Sequence, residues 1–165
     1  MIDIRPLETT KEAQPCAKMM ASSDPWLTLG RSYEASFDLM RDPNREIYLA
    51  WLDDEIAGFI ILVMQGAFVG YIQSICVTAD QRGRGIGRAL MTFAENRIWQ
   101  DSPNVFICVS SFNPRVQAYY QTLGYHVVGE LKNYIVTGHS EILLRKTIGS
   151  LNDFRAGKLS QQTNV

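Results

Sequence analysis

Three glycines alternate with charged and apolar residues in Arg82-Gly83-Arg84-Gly85-Ile86-Gly87-Arg88. The apolar stretch Ile75-Cys76-Val77 runs up to them, and behind them Ile86, Ala89, Leu90, Phe93, Ala94 and Ile98 recur at helical spacing. A strand, a glycine loop and a helix in that order suit one kind of chemistry, the holding of an anion. Glycine lets the backbone reach positive φ and approach a ligand closely. The first-turn amides of a helix have no internal acceptor, and the helix dipole adds partial positive charge there. Arg82, Arg84 and Arg88 add full charges. The stretch therefore reads as a phosphate or pyrophosphate site. Its G-x-G-x-G spacing is not the G-x-G-x-x-G of dinucleotide folds. Nor is it a P-loop, because Arg88 stands where Lys-Ser/Thr is needed.

A second set of chemistry-bearing residues lies in Asn113-Pro114-Arg115-Val116-Gln117-Ala118-Tyr119-Tyr120-Gln121-Thr122-Leu123-Gly124-Tyr125. Asn113 before Pro114 makes a good N-cap and first-turn pair, and Gly124 suits the position after the helix end. Tyr119 and Tyr120 are adjacent and so point to different sides of that helix. A tyrosine, with a reference pKa of about 10, is protonated at neutral pH and able to act as a proton donor. Cys76 and Cys108 fall in expected buried strands, where thiols are mostly inert. The three cysteines are odd in number and scattered, and His126 and His139 are the only histidines. Neither a disulfide framework nor a metal site is expected.

These residues need elements to position them. The 165-residue length fits one domain, expected over residues 1–148 with a tail at 149–165, its end mobile. An apolar content of 46% with 20% charge is a globular balance. The net charge of -1 gives no electrostatic case for nucleic acid or a membrane surface. No apolar run approaches membrane-spanning length, the N-terminal residues lack a signal pattern, and the sparse cysteines fit a reducing compartment. A cytoplasmic protein is expected. Pattern and breakers predict a first strand around Ile2 and Ile4, a helix over 10–22 with Pro15 delaying or kinking it, and a second helix over 31–41. Three antiparallel strands follow over 46–52, 55–65 and 69–77, the first two joined by Asp53-Asp54. After the glycine loop and its helix come a strand over 105–110, a helix over 114–123, and strands over 127–131 and 140–147. This is an α+β plan with a mixed, mostly antiparallel central sheet flanked by helices.

Arg82-Gly83-Arg84-Gly85-Ile86-Gly87 resembles the Arg/Gln-x-x-Gly-x-Gly/Ala signature of the GNAT superfamily of N-acetyltransferases. Asn113, Tyr120, Gly124 and Tyr125 resemble, in their mutual spacing, a second GNAT motif, and the element order is similar over about the first nine-tenths of the chain. The resemblance implies a sheet that splays between the strand before the glycine loop and the next strand, with acetyl-CoA as co-substrate and no metal. It implies that Arg82, Gly83, Arg84, Gly85, Ile86, Gly87 and Arg88 hold the pyrophosphate. Ile75, Cys76 and Val77 would pair through their backbone with the pantetheine arm. Asn113 would contact that arm, and Tyr120 would be the acid that protonates the departing thiolate. The implied reaction is direct acetyl transfer to a primary amine of a small or amino-acid-like acceptor. A protein N-terminus or lysine as acceptor, and a non-catalytic CoA-binding domain, are the alternatives. The base is open. The branch that acetylates ribosomal-protein N-termini carries a glutamate where this chain has Cys108, and Glu34, Glu46, His139, Glu141 or a water relay through Gln73 or Ser74 remain. Trp26, Tyr33 and Tyr134 are the expected acceptor contacts. By analogy with the family, the chain is a monomer or a homodimer.

Overall fold

The computed structural model describes residues 1–159. Its elements run β1 (Asp3–Pro6), α1 (Thr10–Ala21), α2 (Tyr33–Leu39), β2 (Glu46–Leu52), β3 (Glu55–Val63), β4 (Tyr71–Val77), α3 (Ile86–Ile98), β5 (Asn104–Ser110), α4 (Pro114–Thr122), β6 (His126–Lys132), β7 (Ser140–Thr147) and α5 (Leu151–Arg155). The strands form one seven-stranded sheet in the order β1-β2-β3-β4-β5-β7-β6. Neighbours are antiparallel except β4 and β5, which are parallel and joined by the α3 crossover. The expected mixed, mostly antiparallel α+β architecture is the one found.

Local chemistry explains the element ends. Thr9 opens α1 with a capping box: its hydroxyl accepts from the Glu12 amide at 3.2 Å, and Glu12 Oε2 accepts from the Thr9 amide at 2.8 Å. The helix runs on through Pro15. The second helix is shorter than the pattern predicts because Ser32 caps it, its hydroxyl accepting from the Ala35 amide at 3.1 Å. Asp53 and Asp54 both take positive φ, 50° and 64°, as the tight turn between β2 and β3 requires. The short helix α5, capped by Ser150, lies where no periodic element is expected from the pattern. The expected mobile end of the tail begins at Leu159, and its residues 160–165 lie outside the described residues.

Two apolar clusters cover the two faces of the sheet. One joins Ile60, Leu62, Ile72, Val105, Ile107 and Val109 to Leu90 and Ala94 of α3 and Tyr120 of α4. The other joins Leu49, Phe59, Ile61 and Cys76 to Ala13, Cys16 and Met20 of α1 and to Met40, just after α2. A bulge sits in β4: Ile61 is opposite Ser74 and Leu62 opposite Ile72, leaving Gln73 unmatched. The sheet opens beside it. Pairing between β4 and β5 is limited to Tyr71 with Phe106 and Ile72 with Ile107.

Candidate active site

The glycine loop has the conformation its composition implies. Gly83 and Gly85 take φ of 78° and 84°, and a Cβ built on either would meet nothing within 4 Å. Glycine is thus required there by backbone conformation, and the space in front of it is open. Gly85 is the N-cap of α3, and no side chain caps that end. The amides of Ile86, Gly87 and Arg88 are therefore left for an external acceptor. Ile86 is buried and anchors the helix in the core. Arg82, Arg84 and Arg88 are exposed. Arg82 Nε donates to the Val77 carbonyl at 3.3 Å and Arg84 Nη1 to Gln81 Oε1 at 2.6 Å. Both tie the loop down without neutralising its charge. Gly87, by contrast, lies inside α3, where a Cβ would make only an ordinary 3.8 Å contact with Val77.

Beside this cradle the β4/β5 fork leaves the facing backbone edges without strand partners, in β4 after Ile72 and in β5 after Ile107. Ile75 and Val77 lean into the α3/α4 cluster, while Cys76 is buried in the other. Burial pushes the Cys76 thiol up to about 11, with nearby Arg82 opposing. It is a packing residue, and what this arm offers a ligand is backbone. An extended chain carrying amide groups fits such a slot, and a pyrophosphate attached to it fits the glycine cradle. The residues present thus suit CoA.

Tyr120 packs in the cluster that includes Val109, Ile75 and Val77, and Asn113 follows the end of β5. Tyr120 is 5% exposed, and its ring lies 5.9 Å from that of Tyr125. Burial holds its phenol well above the ordinary tyrosine range, with Tyr119 adding to the effect, and no hydrogen bond to a described residue engages the hydroxyl. The phenol is held protonated and unspent. Tyr119 is instead 37% exposed, which separates the two tyrosines. Asn113 precedes α4 with Pro114 at the first turn, but its side chain does not cap the helix. Its amide N–H donates to the Ser110 carbonyl at 2.8 Å, fixing the residue at the end of β5 with the side chain free.

The expected acceptor contacts sit in three settings. The Trp26 ring packs 6.4 Å from Phe59 in the α1/α2 cluster, as part of the core. Tyr33 stacks on Phe37 at 5.8 Å. Tyr134 is 63% exposed in the β6–β7 connection, near Tyr71. Among the base candidates, Glu46 is held by Arg97 through two bonds of 2.7 and 2.8 Å and accepts from the Tyr48 hydroxyl at 2.8 Å, a structural role. Glu34 is exposed in the first turn of α2, and His139 lies edge-on to Phe112 at 5.0 Å. Glu141 is buried and accepts from the Ser110 hydroxyl at 2.7 Å. The residue that sequence reading passed over is Tyr71. Burial raises its phenol, and the Cys108 thiol lies against its hydroxyl. The available signal was the alternation of β5, which sets Cys108 and Ser110 off the apolar face of Val105, Ile107 and Val109. Among the described residues no group of His, Cys, Asp and Glu could hold a metal ion, and no helix is long and apolar enough to cross a membrane.

A family model described as the acetyltransferase (GNAT) family matches residues 8–125. Among solved structures, an aminoglycoside 6'-N-acetyltransferase complexed with coenzyme A superposes with a TM-score of 0.71 at 18% identity, over 90% of this chain and 98% of that one. The ribosomal-protein-S18-alanine N-acetyltransferase from Escherichia coli gives 0.69 at 21% identity, over 91% and 96%. Ard1 from Thermoplasma volcanium gives 0.74 at 18% identity, over 90% and 99%. The curated proteins contain no significant sequence match.

Proposed function

Because the chain belongs to the GNAT family of acetyltransferases, whose members use acetyl-CoA, we propose that it moves the acetyl group of acetyl-CoA to a primary amine of a small or amino-acid-like acceptor. Transfer is by direct attack in a ternary complex, within a single domain over residues 1–148. The observation that carries this reading is the open β4/β5 fork lying between an uncapped glycine-led helix and a buried, unengaged phenol.

In this reading the amides of Ile86, Gly87 and Arg88, with Arg82, Arg84 and Arg88, bind the pyrophosphate. Gly83 and Gly85 let it approach. The β5-facing backbone edge of Ile75, Cys76 and Val77, which has no strand partner there, lines the pantetheine slot, and the Asn113 side-chain amide contacts the same arm. An N–H of the β4 arm polarises the thioester carbonyl as an oxyanion donor. Tyr120 gives its proton to the departing thiolate, the task for which a phenol kept protonated by burial is suited. Cys76 takes no covalent part, because its raised pKa leaves almost no thiolate at neutral pH.

The test is to follow free thiol from acetyl-CoA in the presence of a panel of small amines, amino acids and peptides. Thiol release with a small amine supports the reading. Release with peptides alone moves the acceptor to a protein. Stabilisation by acetyl-CoA in a thermal melt without any turnover leaves a binding domain. Absence of stabilisation removes the donor site itself.

A further inference from the structure

Glu141 is a buried carboxylate without a counter-ion. It lies near the start of β7 opposite Ser110 and is 5% exposed. Ser110 Oγ donates to its Oε1 at 2.7 Å, and no cationic group of the described residues acts on it. Burial of a carboxylate is costly unless it is paired and hydrogen-bonded. The fold meets that requirement elsewhere: Glu95, 7% exposed, accepts from Lys146 Nζ at 2.7 Å and from the Tyr125 hydroxyl at 3.0 Å. Among the described residues the second Glu141 oxygen has no partner. It is also not sealed in, since the enclosed unpartnered polar side-chain atoms among the described residues are the Trp51 and Trp99 indole nitrogens.

The surroundings are neutral and aromatic. Ser110 and Cys108 are on the sheet face opposite Val109 and Ile107, and Tyr71, opposite Phe106, joins them from β4. Tyr134 from the β6–β7 connection, and Glu141 itself, lie close enough to act on the Tyr71 hydroxyl. From β6 the residue opposite Glu141 is Leu131. His139 is turned onto the Phe112 ring. No lysine or arginine enters this set. The place in the fold is equally specific. Ser110 is the last residue of β5, beyond the point at which that strand has left β4. Tyr120 packs on the α3/α4 face of the sheet, and Glu141 sits on the other. A group entering the fork has a phenol on one side and a carboxylate on the other.

We propose that Glu141, with Tyr71, Cys108 and Tyr134 around it, is the subsite for the acceptor's ammonium group and its first proton acceptor, selecting a singly charged primary amine on an apolar or aromatic body. One carboxylate matches one ammonium. Ring faces attract a cation and accommodate an apolar body, whereas a polyamine would bring further charges for which this set holds no second carboxylate, with Leu131 opposite Glu141. The proton balance closes. The ammonium ion gives one proton to Glu141, which passes it to solvent, and the neutral nitrogen then bonds to the thioester carbon. The carbon–sulfur bond breaks with its electron pair leaving on sulfur, and the thiolate takes the Tyr120 proton. The attacking nitrogen loses its second proton to restore Tyr120, and the third stays on the amide. This step rests on the acetyl-transfer reading; the subsite rests on Glu141 alone.

Two measurements on the full chain separate these claims. Calorimetric titration of the protein saturated with CoA, using 2-phenylethylamine and spermidine as probes, reads the subsite without turnover. Wild type binds 2-phenylethylamine more tightly than spermidine, and Glu141→Gln weakens 2-phenylethylamine about 10- to 100-fold while CoA affinity stays. Thiol release reads the chemistry. Glu141→Gln lowers kcat/KM about 100-fold at neutral pH, and the deficit shrinks as pH rises toward the ammonium pKa, where the amine arrives neutral. Unchanged amine binding in the variant, tighter binding of spermidine, or a rate deficit equal at every pH overturns the proposal. Amine binding through Glu141 without thiol release with any amine keeps the subsite and removes acetyl transfer. Normal thiol release by the variant does the reverse.

Discussion

Gly85→Ala separates backbone strain from ligand contact in the glycine loop. Gly85 has φ of 84°, and an added Cβ meets nothing within 4 Å, so the variant suffers no clash. Its cost is conformational. An L residue in the left-handed region loses about 1–2 kcal/mol, and the stiffer unfolded chain returns about 0.4–1 kcal/mol. The net is about 1 kcal/mol, a fall in Tm of about 3 °C for a chain of this length. CoA binding responds on another scale. The methyl group occupies the open space beside the uncapped amides of Ile86 and Gly87. Holding a pyrophosphate away from two of them forfeits two hydrogen bonds to a charged group, each worth about 1.5–3 kcal/mol. A CoA dissociation constant raised about 100-fold or more follows. The assays are a thermal melt and calorimetric titration with CoA, with pantetheine, which lacks the pyrophosphate, as the control that binds both proteins alike. A variant that melts about 3 °C lower yet binds CoA as wild type does would refute the cradle.

Three further substitutions probe the fork. Tyr120→Phe lowers turnover about 100-fold with CoA affinity unchanged, measured by thiol release and calorimetry; equal turnover rejects the phenol as the acid. Asn113→Ala shifts urea stability by less than about 0.5 kcal/mol, as for a side chain without structural partners, while weakening CoA about tenfold. A loss of about 1 kcal/mol with unchanged affinity would instead mark a cap. Glu141→Gln alters the pH dependence of stability in the absence of ligands. Burial raises the Glu141 carboxyl above the ordinary glutamate range, so the folded state holds this proton more tightly than the unfolded state. Stability then falls as pH rises from the ordinary glutamate range through the folded pKa, and the penalty persists at neutral pH. The variant removes it and melts higher at neutral pH, with the difference vanishing in acid. A lower melting temperature at pH 7 would mean that Glu141 is a structural carboxylate.

What was legible in the sequence follows from how narrowly each feature constrains residue type. Positive φ at Gly83 and Gly85 restricts those positions almost to glycine, so the loop is readable from spacing. Apolar alternation and the aspartate pair at 53 and 54 likewise delimit the meander. The fork makes no such demand, because unpaired backbone is compatible with nearly any strand former, and its shape entered the reading only through the family motifs. Trp26 reads as an acceptor contact, yet Phe59 gives it a core partner more than thirty positions away. The acceptor side was least legible, and the bulge at Gln73 is the reason. Side chains alternate faces along a strand, and an extra residue reverses the alternation. Ile72 packs with α3, but beyond the bulge Ile75 and Val77 pack with α3 and Cys76 with α1. Even spacing along β4 would put Tyr71 with Ile75 and Val77. The reversal puts it instead on the face with Cys108 and near Glu141, while Ile75 and Val77 stay with Tyr120. One inserted residue thus sets the Tyr71 phenol on the Glu141 side of the sheet and leaves Ile75 and Val77 on the Tyr120 side. Deleting Gln73 should abolish acceptor binding and donor binding together.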